Sequence, residues 1–274
     1  MSQFFLQPLH YDFMLRALAA SVLVAIVCAV IGTYIVLRGM AFFGDALAHT
    51  ILPGVAAGYL ISGSDRGALF WWALGTSIVA ALGIGAISKR GGVKEDTAIG
   101  IIFAGMFALG IALISTVRSY AVDLTHFLFG DVLGVSNGDL IRTGLFAALI
   151  LLLVFLFYKE LLAISFDSTL AVTLRLPVNA LNNLLLLLIA VTVAITMQAV
   201  GVALMVAMLI TPPATASLLT KRLPVMMALA AAFGALSAVV GLYISYYSSI
   251  ASGAAIVLTA TAFFLITLLA QRKR

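Results

Sequence analysis

The sequence predicts an all-α polytopic membrane protein with eight or nine transmembrane helices, and three observations lead to this fold class. Of the 274 residues, 64% are hydrophobic and only 9% are charged, with a mean hydropathy of +1.23. A soluble domain carries about 25% charged residues, and its interior is too small to remove this much apolar surface from water. The apolar residues lie in continuous runs instead of alternating with polar ones, which is typical of spanning helices and not of a β-barrel.

Nine apolar runs approach or exceed the length that crosses a bilayer. The predicted spans lie at 13–37, 41–62, 69–88, 97–117, 139–158, 179–198, 200–219, 224–247 and 250–270. A shorter run at 121–135 contains Gly130 and Gly134 and is predicted to be re-entrant. An eight-span arrangement, in which two of the runs form one broken helix, stays open. The whole chain, 1–274, is interpreted as a single transmembrane domain.

The positive charges favour one orientation in the membrane. With the C-terminal residues 272–274 in the cytosol, counting back along nine spans places eleven Lys and Arg residues at or near cytosolic ends and four on the other side. Because cytosolic loops carry an excess of Lys and Arg, we expect a cytosolic C-terminus and an extracytoplasmic N-terminus. The same charges form no basic patch with interleaved aromatic residues, so we do not expect nucleic acid as a partner. Membrane lipid is an expected partner.

One ionisable pair lies inside the second predicted span. Asp45 and His49 are four residues apart and therefore share a helix face. A carboxylate in hydrocarbon costs about 3 kcal/mol or more and usually faces a cavity or a partner. One carboxylate oxygen and one imidazole nitrogen suit Mn²⁺, Fe²⁺ or Zn²⁺, and a second copy of the chain would double this incomplete set. The alternative is that Asp45 caps the helix at the membrane edge and His49 packs beside it.

Prolines predict two irregular helices. Pro53, followed by Gly54, is expected to loosen the second span just after His49. Pro212 and Pro213 remove two backbone donors and predict a break or kink in the seventh span. Broken helices line substrate pathways in transporters. The alternative at Pro212 and Pro213 is a tolerated kink at a site where helices pack.

Two further places outside the spans are candidate functional segments. The longest cytosolic loop, at about 159–178, contains a predicted short helix over 167–176, with Asp167 or Ser168 as N-cap and Pro177 after its end. Such a helix is suited to docking a partner, and an ordinary connecting loop is the alternative. His126, on the extracytoplasmic side, is a candidate for the entrance of a pathway, and the favoured alternative is a surface or interface histidine.

Four stretches of the chain resemble the permeases of ABC transporters for manganese, zinc or iron. They are 44–55, 94–101, 122–130 and 200–216. The resemblance implies a fold related to the vitamin B12 and siderophore importers, and a homodimer in the plasma (inner) membrane of a prokaryote. It also implies cytosolic ATP-binding subunits and an extracytoplasmic metal-binding protein as partners. On this basis Asp45 and His49 contact the metal, and the residues of the loop that dock on the ATPase are Asp167, Ser168, Leu170, Arg175, Leu176 and Pro177.

The predicted function is therefore a permease that passes a divalent ion from the binding protein to the cytosol without a permanently bound cofactor. Within this resemblance, the segment Thr211 to Ala216 is most similar to the manganese/iron branch of the family. Manganese is the favoured cargo, with zinc or iron as alternatives. No Gly-x-x-x-x-Gly-Lys-Ser/Thr motif occurs, so ATP must bind another subunit and the chain is not expected to be an enzyme. The alternative is a proton-coupled secondary metal carrier, in which Asp45 and His49 relay protons.

Overall fold

The computed structural model describes residues 7–63, 65–116 and 132–271. Within these ranges the regular structure is helical, and it comprises twelve α-helices. Their bounds are α1 Asp12–Leu37, α2 Ala41–Thr50, α3 Leu52–Ser62, α4 Arg66–Gly91, α5 Glu95–Ser115, α6 Asn137–Leu156, α7 Tyr158–Phe166, α8 Ser168–Thr173, α9 Val178–Val200, α10 Val202–Leu219, α11 Leu223–Ser248 and α12 Ser252–Gln271. Short 3-10 helices at Pro8–His10 and Val132–Gly134 precede α1 and α6.

Eight of these helices are long and apolar enough to cross a membrane, namely α1, α4, α5, α6, α9, α10, α11 and α12. They coincide with eight of the nine predicted runs, so the prediction of an all-α polytopic membrane protein is confirmed. The remaining run, 41–62, is divided into α2 and α3, which have 10 and 11 residues and are separated by Ile51. Neither reaches the length of about 20 residues that a single span needs. Most of the predicted re-entrant run at 121–135 lies outside the described residues.

The chain folds into two compact units, and neither is continuous in sequence. The first unit comprises 1–36, 126–149 and 196–274, and the second comprises 37–125 and 150–195. In the first unit α10, α11 and α12 pack against one another. In the second unit both short helices, α2 and α3, pack against α4 and α5. The unit boundaries fall inside α1, α6 and α9.

Of the predicted break or kink at Pro212 and Pro213, the break does not occur, because α10 continues through both prolines from Val202 to Leu219. The kink stays a prediction. Pro213 has no N–H, so the carbonyl of Leu209 lacks its helical donor. Gly32 of α1 lies directly against this turn: a Cβ added there would come within 2.8 Å of the Leu209 carbonyl carbon and 2.9 Å of Pro213 Cγ. Both prolines are buried. Close packing against a residue without a side chain thus supports the proline turn within the helix.

The interruption in this part of the chain falls instead at Gly201, between α9 and α10. Gly201 has a φ of +85°, a conformation that residues with a side chain rarely adopt. Its N–H still donates to the carbonyl of Met197 at 2.7 Å, and its own carbonyl accepts from Met205 at 3.1 Å. The two helices are therefore separated by a single glycine whose backbone groups are both bonded.

Candidate metal and coupling sites

Asp45 and His49 lie on α2, a helix of under three turns in the second unit. The helix starts after Gly39, which has a φ of +69°, and its N-cap is Met40, whose side chain makes no capping hydrogen bond. Asp45 is the fifth residue of the helix and so is not its cap. The alternative in which Asp45 serves only as a helix cap is therefore excluded by its position.

Pro53 explains why α2 ends just after His49. A proline inside a helix has no N–H, and its ring collides with the carbonyl four residues earlier, which here belongs to His49. That carbonyl accepts instead from the N–H of Ile51, and α3 begins at the next residue with Pro53 in its first turn. The expected loosening at Pro53 is thus confirmed, and it places His49 in the last turn of α2.

The two side chains are spaced for a shared cation. Nε2 of His49 lies 3.8 Å from Oδ1 of Asp45, which is too long for a hydrogen bond. Nitrogen and oxygen ligands bind Zn²⁺ at about 2.0–2.2 Å, so two atoms up to about 4.2 Å apart reach one ion. The side chains are 32% and 38% exposed, respectively, so neither is enclosed by its own chain. Among the described residues no group of three or more His, Cys, Asp or Glu side chains is assembled.

Aromatic rings from α5 surround one side of His49. The imidazole contacts Phe103 and Phe107 edge-on, with centroids 5.9 and 5.7 Å away. These two rings stack on each other at 5.7 Å, and Phe42 meets Phe103 at 6.0 Å. Edge-to-face contacts restrict the imidazole orientation. Phe103 and Phe107 were not among the residues predicted for the site, although their four-residue spacing places them on one helix face.

The loop predicted to dock a partner contains two short helices. The N-cap of α8 is Asp167, and its Oδ1 accepts from the N–H groups of Thr169 at 2.8 Å and Leu170 at 3.1 Å. The predicted helix over 167–176 ends earlier, at Thr173. The cause is a helix-terminating motif: Arg175 has a φ of +57° and donates to the carbonyl of Val172 at 2.9 Å.

The same motif is completed by Leu176, whose N–H donates to the carbonyl of Ala171 at 3.1 Å. Pro177 follows, as is common after such a stop. Four apolar side chains around α8 are more than half exposed: Phe166, Leu170, Val172 and Leu174. We call these four the α8 apolar surface. These exposed apolar side chains make the segment a candidate docking surface, and an ordinary connecting loop stays the alternative.

His126, the third candidate from the sequence, lies outside the described residues. The site that the structure brings together is therefore formed by Asp45 and His49 with the aromatic rings of α5, and the α8 apolar surface belongs to the same unit of the fold.

At least eight described helices are long and apolar enough to cross a membrane, which identifies the chain as a polytopic membrane protein. The chain belongs to the ABC 3 transport family, whose model matches residues 10–271. It is thus a membrane permease of the ABC-transporter class, as its resemblance implied.

Three relatives align with nearly the whole chain. It is 48% identical over 261 residues to the manganese transport system membrane protein MntC of Halalkalibacterium halodurans, covering 95% of this chain and 88% of the relative. It is 40% identical to the manganese import system permease protein ScaB of Streptococcus gordonii, covering 97% and 95%. A probable iron transport system membrane protein of Haemophilus influenzae is 39% identical, covering 98% and 97%.

Solved structures share the fold. A chain of PsaBC from Streptococcus pneumoniae, solved in complex with Fab, superposes with a TM-score of 0.83 at 43% identity, covering 97% of this chain and 95% of that one. A putative metal-chelate type ABC transporter in an inward-facing conformation gives a TM-score of 0.70, covering 96% and 88%. At 16% identity this second likeness concerns the fold alone.

Proposed function

We propose that this chain is the permease subunit of an ATP-driven importer that carries Mn²⁺, with Fe²⁺ or Zn²⁺ as alternative cargo, from an extracytoplasmic metal-binding protein to the cytosol. The observation that carries the proposal is the 3.8 Å pair of Asp45 and His49 on an apolar, interrupted helix. The names of the relatives, which refer to manganese and iron, support the metal class. No comparison supports the proton-coupled alternative.

A second copy of the chain completes the metal site in this proposal. One copy supplies one carboxylate and one imidazole, and two copies related by a dimer axis supply four ligands of the kind that borderline divalent ions prefer. The partial exposure of both side chains is consistent with a position that faces another molecule. Each copy alone binds weakly, and such incomplete coordination suits transport because the ion must also leave.

ATP-binding subunits in the cytosol drive the cycle by docking on the α8 apolar surface. Burial of exposed leucine, valine and phenylalanine side chains provides the favourable free energy of docking, and the Asp167 cap fixes the start of α8. Movement of this segment alternates the access of the metal pair between the two faces. An inside-negative membrane potential adds about 4.6 kcal/mol per 100 mV for a dication.

The orientation that fits this cycle has the C-terminus and the segment 159–178 in the cytosol, the N-terminus outside the cell and the apolar spans in the lipid of the plasma membrane. It requires that α2 and α3 cross the membrane together, as one interrupted span between α1 and α4, in addition to the eight long helices. In this orientation α2 starts near the cytosolic end of α1, since only residues 38–40 separate them. Asp45 is then about one and a half turns, and His49 about two and a half turns, from a loop on the cytosolic side.

The test is uptake of Mn²⁺, Fe²⁺ and Zn²⁺ into proteoliposomes that contain the permease, its ATPase and the metal-loaded binding protein. We expect uptake that requires hydrolysable ATP and favours Mn²⁺. A matched preparation with a hydrolysis-deficient ATPase should show none. Flux that continues without ATP and follows an imposed proton gradient would overturn the proposal in favour of the secondary carrier.

A further inference from the structure

Arg38 occupies the short connection between α1 and the metal-site helix. It follows Leu37, the last residue of α1, and only Gly39 and Met40 separate it from α2. Asp45 lies seven residues beyond it, about two helical turns. A displacement of Arg38 therefore acts directly on the first turn of the helix that carries the metal pair.

The guanidinium of Arg38 bonds to both sides of the coupling segment. Its Nη2 donates to the carbonyl of Ile164 on α7 at 3.2 Å and to Oδ1 of Asn182 on α9 at 2.6 Å. Ile164 precedes the N-cap of α8 by three residues, and Asn182 follows Pro177 by five. One nitrogen atom thus joins the helices that enter and leave the α8 segment, and all these residues belong to the second unit.

We infer that Arg38 is a positioning residue that transmits movement of the α8 segment to the metal-site helix α2. The inference deepens the proposed function, on which it rests: the ATPase moves the α8 segment, Ile164 and Asn182 move with it, and Arg38 carries the displacement to α2. Arg38 itself touches no metal.

The surroundings of Arg38 suit a guanidinium whose role depends on the geometry of its hydrogen bonds. Its Nε is buried and has no hydrogen-bond partner among the described residues, which is a costly arrangement for a charged donor. Burial lowers the pKa of Arg38 from its usual value, and the carboxylate of Glu95 opposes that shift. Arginine remains charged under these conditions. A lysine has no planar fork and would not hold the two acceptors in the same geometry.

Lys89 provides a matched comparison because it makes a similar pair of bonds without reaching α2 or α7. Its Nζ donates to the carbonyl of Asn179 at 3.2 Å and to Oδ1 of Asn183 at 2.8 Å, both on α9. The Lys89 side chain is exposed. It joins α4 to α9 only, so its loss removes a cation–amide contact of the same kind while the link from Arg38 to the α8 segment stays intact.

The experiment uses the complete transporter and measures ATPase copurification, basal ATP hydrolysis and Mn²⁺ taken up per ATP hydrolysed. For Arg38→Gln we expect normal copurification and basal hydrolysis with a fall of about tenfold in uptake per ATP, within the range of typical coupling effects. Arg38→Lys should recover part of that loss. Lys89→Gln should stay close to the wild type in all three measurements.

Asn182→Leu tests the same link from the other side, including the case in which Arg38→Gln does not fold. It should lower uptake per ATP, and its combination with Arg38→Gln should be no worse than Arg38→Gln alone, because both remove one shared interaction. Wild-type coupling in either single variant, or a loss of copurification in proportion to the loss of uptake, would overturn the inference. A wild-type transporter without ATP-dependent uptake would instead overturn the proposed function.

Discussion

His49 lies one helical turn after Asp45 on α2, with its Nε2 3.8 Å from Oδ1 of the aspartate. The helix ends at the next residue, Thr50, because Pro53 cannot accommodate the carbonyl of His49 in a continuous helix. The C-terminal end of a helix carries a partial negative charge that favours cations. Pro53 therefore places His49 in the last turn of α2, where the partial charge of the helix end favours a cation.

Replacing either member of the pair should stop uptake while the transporter still assembles. Asp45→Asn and His49→Gln keep the approximate side-chain size and remove a ligand. Changes in residues that only support a metal ligand already cost about 10–100-fold, so we expect at least that loss in Mn²⁺ uptake. Permease abundance and ATPase copurification should not change.

The control for Asp45→Asn is Asp65→Asn. Asp65 is the N-cap of α4 and accepts from the N–H of Gly67 at 3.0 Å. Asparagine caps helices about as well as aspartate, so this variant should transport normally. Normal transport in both Asp45→Asn and His49→Gln would contradict the assignment of the pair.

Phe107→Leu should weaken metal handling without removing a ligand. Its ring meets the His49 imidazole edge-on at 5.7 Å, and such contacts contribute about 0.5–1.5 kcal/mol beyond burial. If that energy holds the imidazole in its binding orientation, the apparent KM for Mn²⁺ should rise about two- to twelvefold with little change in maximal rate. Kinetics of uptake at varied metal concentration measure both quantities.

Phe263→Leu is the comparison for the ring change itself. Phe263 packs against Phe233 at 6.0 Å in the first unit and has no place in the metal site. It should leave the apparent KM unchanged. An equal rise in KM in both variants would mean that ring loss acts through general stability and not through His49.

The sequence predicted the features that depend on residues close together in the chain. Bilayer thickness sets the length of a span, so the apolar runs located eight helices. The spacing of Asp45 and His49 placed them on one face, and Pro53 predicted a loosening of the helix just after His49, where α2 ends. These outcomes depend on residues within about one or two turns of each other.

The sequence did not predict the features that depend on contacts between helices far apart in the chain. The helix α10 continues through Pro212 and Pro213, and Gly32 of α1 packs directly against the carbonyl of Leu209 that has no helical donor. The rings of Phe103 and Phe107 reach His49 from another helix. Neither contact has a signature in the local pattern, since each follows from how separate helices pack.

Leu170→Ser should weaken docking of the ATPase. Leu170 is 53% exposed on the α8 apolar surface, and full burial of a leucine in an interface contributes about 1.5–3 kcal/mol. Its loss should therefore weaken ATPase binding about 10- to 150-fold, measured by titrating the detergent-solubilised permease with the ATPase. The Asp167 cap remains in this variant, so α8 itself should persist.

Leu219→Ser is the matched control, because Leu219 is 47% exposed at the end of α10. It lies near the cytosol in the proposed orientation but outside the segment 159–178. We expect ATPase affinity close to that of the wild type. Equal losses in the two variants would show that the ATPase does not distinguish the α8 apolar surface from other exposed leucines.

Gly54→Ala should destabilise the protein because α3 and α4 are in backbone contact at this position. A Cβ on Gly54 would lie 2.6 Å from the carbonyl oxygen of Trp72 and 2.7 Å from Cβ of Thr76. Both atoms are part of the α4 backbone or attached directly to it, so they cannot move away without a shift of the helix. We therefore expect the free energy of unfolding to fall by about 1–3 kcal/mol, as for other overpacked sites. Thermal unfolding of the purified permease in detergent measures this change.

Gly105→Ala on α5 is the control, since no other atom lies within 4 Å of a Cβ built at that position. Alanine is favoured over glycine in a helix by about 1 kcal/mol, so this variant should be as stable as the wild type or more so. Gly54 also follows Pro53 directly, and a displaced α3 would shift the end of α2 at His49. Uptake per folded permease should therefore fall in Gly54→Ala and not in Gly105→Ala, whereas equal stability and equal uptake in the two variants would contradict the close packing of α3 on α4.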